Sequence, residues 1–456
     1  MSGSIEEFAS AEKPKDYYSS LLGEIEKLNK EYHFFNVLNA EVENKSGKGG
    51  GFPFSSKANI CVKGFETTAG SKMLRGYLPP FNATVIERML GNKLFFFLGE
   101  TNMDEFGFGT FGLNTELPAR NAFDKEFAAG GSSSGAAVAT AMLKYHVALA
   151  ESTGGSISTP AALNGVVGFT PTYGAVSRYG LIDYANSLDK IGVISRSAED
   201  ARQVFDAVRG PDSYDTTCAV DKIGDEKKKK LYLVKELLVA ADPLVRKSFD
   251  KLVSRLETMG YESETISMPE LSVAIEAYYI IAMAEASTNL AKYNGYKYGL
   301  QYGELHKRYD EFFSSARENF GTEAKRRVIL GTFIRGESVK EKYYTKALVL
   351  RGKIIEAMRK VLEKGFLLSP TLPILTPKIS DANRLGPVQN YAMDLYTIPP
   401  NLGGFPHITF PYDYVKKLPV GAQLITGQAN DYSLLSFVKG WEKEFSYRFK
   451  HDVGSV

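Results

Sequence analysis

The sequence predicts an α/β layered core within a single domain, and three observations carry that expectation. Strand-like and helix-like segments alternate at short range between residues 51 and 209. Hydrophobic residues make up 44% of the chain against 24% charged, enough to bury a large core. No internal repeat divides the 456 residues, a length that large α/β units reach as one domain. Residues 1–50 read as an N-terminal helical segment, 51–215 as the core, and 216–456 as the remainder of the core with helical excursions.

In chain order, residues 5–30 set Tyr18, Leu21, Leu22, Ile25 and Leu28 at helical spacing, the pattern of an amphipathic helix. Residues 43–51, Glu-Asn-Lys-Ser-Gly-Lys-Gly-Gly-Gly, form a loop by composition. The stretch Gly51-Phe-Pro-Phe-Ser-Ser-Lys57-Ala-Asn-Ile60 is strand-like and apolar, with one lysine inside it. Ala83–Leu90 reads as a helix with Val85, Ile86 and Leu90 inward, and Lys93–Leu98 as a buried strand. A small-residue segment, Ser133–Tyr145, leads into a short strand at His146–Ala150. Gly165–Phe169 is a buried strand or turn. Ser197-Ala-Glu-Asp200 has capping-box spacing ahead of Val204, Phe205 and Val208. Asp221–Lys230 is a solvated polar break, after which Leu231–Val234 restarts the core. Helical periodicity covers 242–262 and 337–364, and 269–335 reads as helix with long polar faces. Leu367–Pro373 is a strand-to-loop transition, Leu418–Leu424 a strand, and Ser433–Phe445 a closing helix.

Composition excludes several classes of function. A formal net charge of +2 gives no intrinsic nucleic-acid surface. Two cysteines, Cys61 and Cys218, give no disulfide framework and point to a reducing compartment. No apolar run reaches 18 residues, so no membrane span is expected. The start carries Glu6 and Glu7 where a leader would carry base, which favours the cytoplasm over a mitochondrial matrix. The five histidines show no metal-ligand spacing, and no metal is expected.

The chemistry concentrates in Gly130-Gly-Ser-Ser-Ser-Gly135 and Glu151-Ser-Thr-Gly-Gly-Ser156, whose glycine-flanked serines Ser132 and Ser156 stand 24 residues apart. Glycine beside serine lets backbone N–H groups approach a reacting centre without an intervening Cβ. Several such groups on one point form an oxyanion hole. Burial disfavours the charged form of a lysine, so Lys57 suits a base, with the two serines as nucleophile and proton relay. A competing pattern, Gly131-Ser-Ser-Ser-Gly135, fits a hydrolase elbow centred on Ser133. That elbow needs a preceding strand, which Asn121–Ala129 does not resemble. It also needs a downstream histidine. His146 is too close in sequence, and His306, His407 and His451 lack suitable contexts.

These segments resemble the amidase signature family, in which a lysine in G-x-P-x-x-x-K-x-N and the first serine of G-G-S-S-G flank a nucleophilic serine ending T-D-x-G-G-S. The motifs fall on Lys57, on Ser132 (which the family holds in a cis peptide) and on Ser156. Thr101-Asn-Met-Asp-Glu-Phe106, Tyr173–Leu181, Ser187–Gly192 and Thr397–Leu402 resemble the branch of tRNA-dependent amidotransferase A subunits. The resemblance is dense over 50–210 and recognisable over 270–440. It implies a central mixed β-sheet covered by α-helices on both sides, with a Ser-Ser-Lys triad. Backbone N–H groups of Thr153, Gly154, Gly155 and Ser156 would hold the oxyanion. In that branch a tyrosine, an arginine and an aspartate clamp the α-amino and α-carboxylate groups of glutamine. By motif context these are Tyr278, Arg327 and Asp394, although Arg326 stands beside Arg327. The resemblance further implies no cofactor in this chain. ATP and Mg²⁺ would belong to a kinase-transamidase B-type partner, a small C- or F-type subunit would complete the assembly, and tRNA would be handled through the complex.

Two departures stand out. The family's T-D-x-G-G-S-x-R is here Glu151-Ser-Thr-Gly-Gly-Ser-Ile-Ser158, so the motif's aspartate and arginine are both serine. Joint loss avoids leaving one buried charge uncompensated. Ala58 and Ala129 also replace a frequent acid and a proline. Two rival functions remain: a stand-alone amidase on small amides, and a non-catalytic scaffold subunit with a drifted site.

Overall fold

The computed structural model describes residues 3–41, 51–299, 308–449 and 451–453. Residues 43–50 of the loop expected at 43–51, and His306, lie outside the described residues. Eleven strands form one mixed sheet: β1 (Phe35–Leu38), β2 (Phe52–Lys57), β3 (Phe95–Thr101), β4 (Val147–Ser152), β5 (Val167–Thr170), β6 (Lys190–Ser195), β7 (Lys230–Val234), β8 (Glu262–Ile266), β9 (Phe366–Pro370), β10 (His407–Val415) and β11 (Leu418–Ile425). Their order is β1-β3-β2-β4-β6-β5-β10-β11-β9-β7-β8. β2 runs parallel to both β3 and β4, while β4 pairs antiparallel with β6. The mixed sheet and its helical cover agree with the expected fold class.

β2, β3 and β4 are buried along their whole length, which agrees with the apolar run at Lys93–Leu98, whereas the segment His146–Ala150, which alternates in sequence, is covered on both faces all the same. Between β3 and β4 the helix Ser134–Met142 is buried on every side, because Ser, Gly, Ala, Val and Thr let it lie close against the sheet. A second apolar cluster centres on the helix Ala274–Asn289, which packs against the helices Thr322–Arg335 and Lys346–Leu362.

Several boundaries differ from the sequence reading. The N-terminal helix is two, Ile5–Ser10 and Tyr17–Tyr32, with Pro14 in the break between them. In the helix Thr84–Gly91 the inward positions are Val85, Ile86 and Met89, whereas Leu90 is exposed. Residues 269–335 do not carry polar faces throughout: Ala274–Asn289 is buried over most of its surface. β1, β6, β8 and β10 are strands that the sequence pattern does not announce, and residue 262, expected in a helix, begins β8. The closing helix stops at Trp441. Half of the capping-box reading holds: Ser197 Oγ accepts from Asp200 N at 3.1 Å, and Val204, Phe205 and Val208 are buried, while the Asp200 carboxyl accepts from Ser197 Oγ and Ile5 N.

Candidate active site

The parallel pairing of β2 with β4, with Ser56 opposite Leu149, brings the end of the lysine strand beside Glu151. Lys57 is fully buried, and its Nζ meets Ser132 Oγ at 2.7 Å, Glu151 Oε2 at 2.8 Å and the Glu151 carbonyl at 3.1 Å. The Gly131–Ser132 peptide is cis. Ser133 N donates to the Ser156 carbonyl at 3.3 Å, tying the two serine segments together. Ser156 lines a small polar pocket with Gly131, Gly154 and Gly155.

The two glycines before Ser156 are required by close approach. A Cβ on Gly154 would stand 2.4 Å from the Tyr278 hydroxyl, and one on Gly155 would stand 2.3 Å from Thr397 Oγ1. Gly155 also has φ +145°, a conformation L side chains rarely adopt. Its N–H donates to Ser152 Oγ at 3.2 Å. Of the backbone donors expected to face an oxyanion, this one is therefore already engaged by the serine that replaces the motif's aspartate. Ser152 reaches Asn401 Oδ1 at 3.5 Å, whereas the Ser158 hydroxyl is buried without a hydrogen-bond partner among the described residues.

All three expected clamp residues line the same pocket. Arg327 is buried and Arg326 half exposed, which separates the two candidates. Arg327 Nε donates to Glu323 Oε1 at 2.8 Å and Nη1 bonds the Tyr184 hydroxyl. Its guanidinium lies 4.6 Å from the Phe108 ring centre and 5.4 Å from that of Tyr279, positions that favour a cation over aromatic faces. Asp394 Oδ2 accepts from the Tyr279 hydroxyl at 2.6 Å and from Thr110 Oγ1 at 3.2 Å. Burial pushes the Asp394 carboxyl up to about 6. Tyr278 and Tyr279 both enter the pocket: Tyr278 presses on Gly154, and Tyr279 holds Asp394.

Motif matching missed Glu151, Tyr184, Tyr279, Glu323 and Asp189 as site residues. Only Glu151 left a signal in the sequence, as an acid standing where the T-D-x-G-G-S segment has threonine. The elbow centred on Ser133 is not built, because Ser133 Oγ donates to the Glu151 carbonyl at 3.2 Å. His146 instead joins Thr140 and Ser55, and burial holds its imidazole down at about 3. Burial raises the Cys61 thiol to about 12, as suits a core filler. Among the described residues, no helix is long and apolar enough to cross a membrane, and no group of three or more His, Cys, Asp or Glu side chains is placed to hold a metal ion.

The chain is similar to known proteins over nearly its whole length. The A subunit of the glutamyl-tRNA(Gln) amidotransferase of Sulfolobus acidocaldarius is 38% identical over 459 residues, covering 95% of each chain. The protein of the same name from Symbiobacterium thermophilum is 40% identical over 408 residues, covering 86% of this chain and 82% of its own. The crystal structure of the Thermotoga maritima protein of that name superposes with a TM-score of 0.83 at 31% identity, covering 98% of this chain and 97% of the other. Residues 24–435 match the family described as Amidase, and the chain belongs to that family.

Proposed function

We propose that this chain is the amide-hydrolysing A subunit of a glutamyl-tRNA(Gln) amidotransferase, releasing ammonia from glutamine. The observation that carries the reading is the buried contact of Lys57 Nζ with Ser132 Oγ at 2.7 Å, beside a pocket that holds Ser156, Arg327 and Asp394 together. Ser156 attacks the carboxamide carbon. Ser132 takes its proton, passes one toward Lys57, and later returns a proton to the departing nitrogen. Water then hydrolyses the acyl-enzyme with the same relay as base. Thr153, Gly154 and Ser156 supply backbone donors for the oxyanion, with Gly155 contributing only by sharing its N–H with Ser152.

Arg327 suits the α-carboxylate of glutamine, and Asp394, oriented by Tyr279, suits the α-ammonium. Tyr278 closes the wall over Gly154. The ammonia passes to a kinase-transamidase B-type partner, which uses ATP and Mg²⁺ to amidate Glu-tRNA(Gln) or Asp-tRNA(Asn). A small C- or F-type subunit completes the assembly.

The test is ammonia release from glutamine and asparagine by the chain with and without its partner subunits. Release that prefers glutamine, rises with the partners and falls by several orders of magnitude in Ser156→Ala supports the reading. Full activity of the isolated chain on simple amides, indifferent to Arg327→Ala, would favour a stand-alone amidase. No release under any condition would favour a scaffold.

A further inference from the structure

We propose that Glu151 is a positioning residue of the relay: its carboxylate orients Lys57 and balances the charge the lysine acquires on accepting the proton of Ser132. The proposal rests on the reading of Lys57 as base. It concerns a group that stands where the family segment has threonine.

Lys57 Nζ has three close partners, and two belong to Glu151: the carboxylate oxygen at 2.8 Å and the backbone carbonyl at 3.1 Å. An ionised carboxylate and a carbonyl only accept hydrogen bonds, whereas a hydroxyl both donates and accepts. Glu151 therefore holds two lysine hydrogens whichever form the amine takes. The contact with Ser132 Oγ at 2.7 Å is left as the one direction in which a proton can cross. A base held by a third group behind it is the general arrangement of an activated nucleophile.

Neighbouring donors converge on the Glu151 carboxyl. Asn59 Nδ2 donates to Oε2 at 3.3 Å, and Thr153 Oγ1 lies 2.6 Å from Oε1. The same Thr153 hydroxyl lies 2.8 Å from Asp189 Oδ1. One hydroxyl has one hydrogen, so one of the two carboxyls must donate to it. Asp189 Oδ2 already accepts from Tyr184 N and Ala185 N, both at 2.9 Å, so a proton on Asp189 sits on Oδ1, the atom that faces Thr153. Burial and the nearby Glu151 charge push Asp189 well above the usual carboxylate range, in agreement. Asp189 thus donates to Thr153, Thr153 donates to Glu151, and the Glu151 carboxyl accepts from Lys57. The other charged groups in reach are Asp104, which acts on Lys57, and Asp183, beyond Asp189.

In the acylation step the Ser156 Oγ–carbon bond forms, the Ser156 proton moves to Ser132, and the Ser132 proton moves to Lys57. The ammonium so formed meets the Glu151 carboxylate. When the carbon–nitrogen bond breaks, the protons run back and leave with the nitrogen as ammonia.

The experiment follows glutamine hydrolysis by the full assembly across pH for wild type, Glu151→Gln, Glu151→Asp and Glu151→Thr. Capture of Ser156 by a fluorophosphonate provides a readout without glutamine: the serine oxygen bonds phosphorus and fluoride leaves. Glu151→Gln and Glu151→Thr are expected to lower kcat at least about tenfold with KM within about twofold. Both are also expected to move the rising limb of activity to lower pH, because a lysine without its counter-charge sheds its proton more easily. Glu151→Asp should return the limb toward wild type. Wild-type kcat with an unmoved limb in Glu151→Gln or Glu151→Thr overturns the proposal. If either variant unfolds, Thr153→Val, which removes the hydroxyl bracing Glu151, must shift the capture profile in the same direction, and an unshifted profile overturns it. Wild type that captures the fluorophosphonate but hydrolyses no glutamine defeats the functional reading, while the capture profiles still decide the role of Glu151.

Discussion

The hydroxyl of Tyr279 donates to Asp394 Oδ2 at 2.6 Å, and this bond helps hold ionised a carboxyl that burial raises to about 6. Removing it lifts Asp394 further toward protonation, and a neutral carboxylic acid cannot pair with an ammonium. Tyr279→Phe should therefore raise the KM for glutamine about tenfold near pH 6, with a smaller effect at pH 8 and little change in kcat. A KM ratio that does not vary with pH would remove Asp394 from the clamp.

Arg327 has two duties, and they separate by measurement. Its guanidinium faces the pocket, and its Nε holds Glu323 at 2.8 Å. Arg327→Lys keeps a positive charge but loses the planar fork, so glutamine KM should rise by about one to two orders of magnitude. Arg327→Met removes one of three side chains that satisfy Glu323, with Arg326 and the Tyr391 hydroxyl remaining. It should also lower stability, by about 1 to 2 kcal/mol, read from denaturant unfolding.

Buried neutral histidine makes the fold acid-sensitive. His146 stands near 3 in the folded chain against an ordinary 6.5, and burial lowers His407 as well. The unfolded chain binds their protons first. Stability contributed by each neutral ring is thus complete above about pH 6.5 and is lost as pH falls toward the folded value. Each costs about 1.4 kcal/mol per pH unit in that window. Unfolding midpoints of His146→Gln measured between pH 7.5 and 5 should fall less steeply than those of wild type.

The Ser158 hydroxyl, buried without a partner among the described residues, predicts the opposite sign from most core changes. Ser158→Ala should be neutral or stabilise by up to about 1 kcal/mol. Ser158→Arg alone should destabilise strongly, and adding Ser152→Asp should recover part of that loss in a double-mutant cycle. Strict additivity would mean that the two positions do not communicate.

Much of the site is legible in the sequence because its signals are local. Glycine beside serine and a lysine inside a strand are properties of neighbouring residues, and they lead to Lys57, Ser132 and Ser156 directly. Glu151 is visible as a letter but not as a partner, because its contact with Lys57 depends on the β2–β4 pairing between residues 94 apart. The division of labour between Tyr278 and Tyr279 depends on which way one helix turns toward Gly154 and Asp394. The strands that the pattern does not announce include β6, which pairs with β4 some forty residues earlier, and β10, which joins distant β5 to its hairpin neighbour β11, so tertiary burial defines them more than local propensity. The break in the N-terminal helix does have a local signal, Pro14, which outweighs the apolar spacing on either side of it.

Two of the three apolar clusters among the described residues meet at this pocket. Ser156 adjoins Ile157 of one, while Tyr278 and Tyr279 belong to the other. A glutamine molecule bound between them would act as a staple across the seam. Saturation at about 100 times Kd adds about 2.7 kcal/mol to a fold that must part both halves to unfold. Amide exchange on the helix Ala274–Asn289 would then slow when glutamine binds, although its middle lies under other helices. Substrate supply would set the mechanical cohesion of the chain as well as its rate.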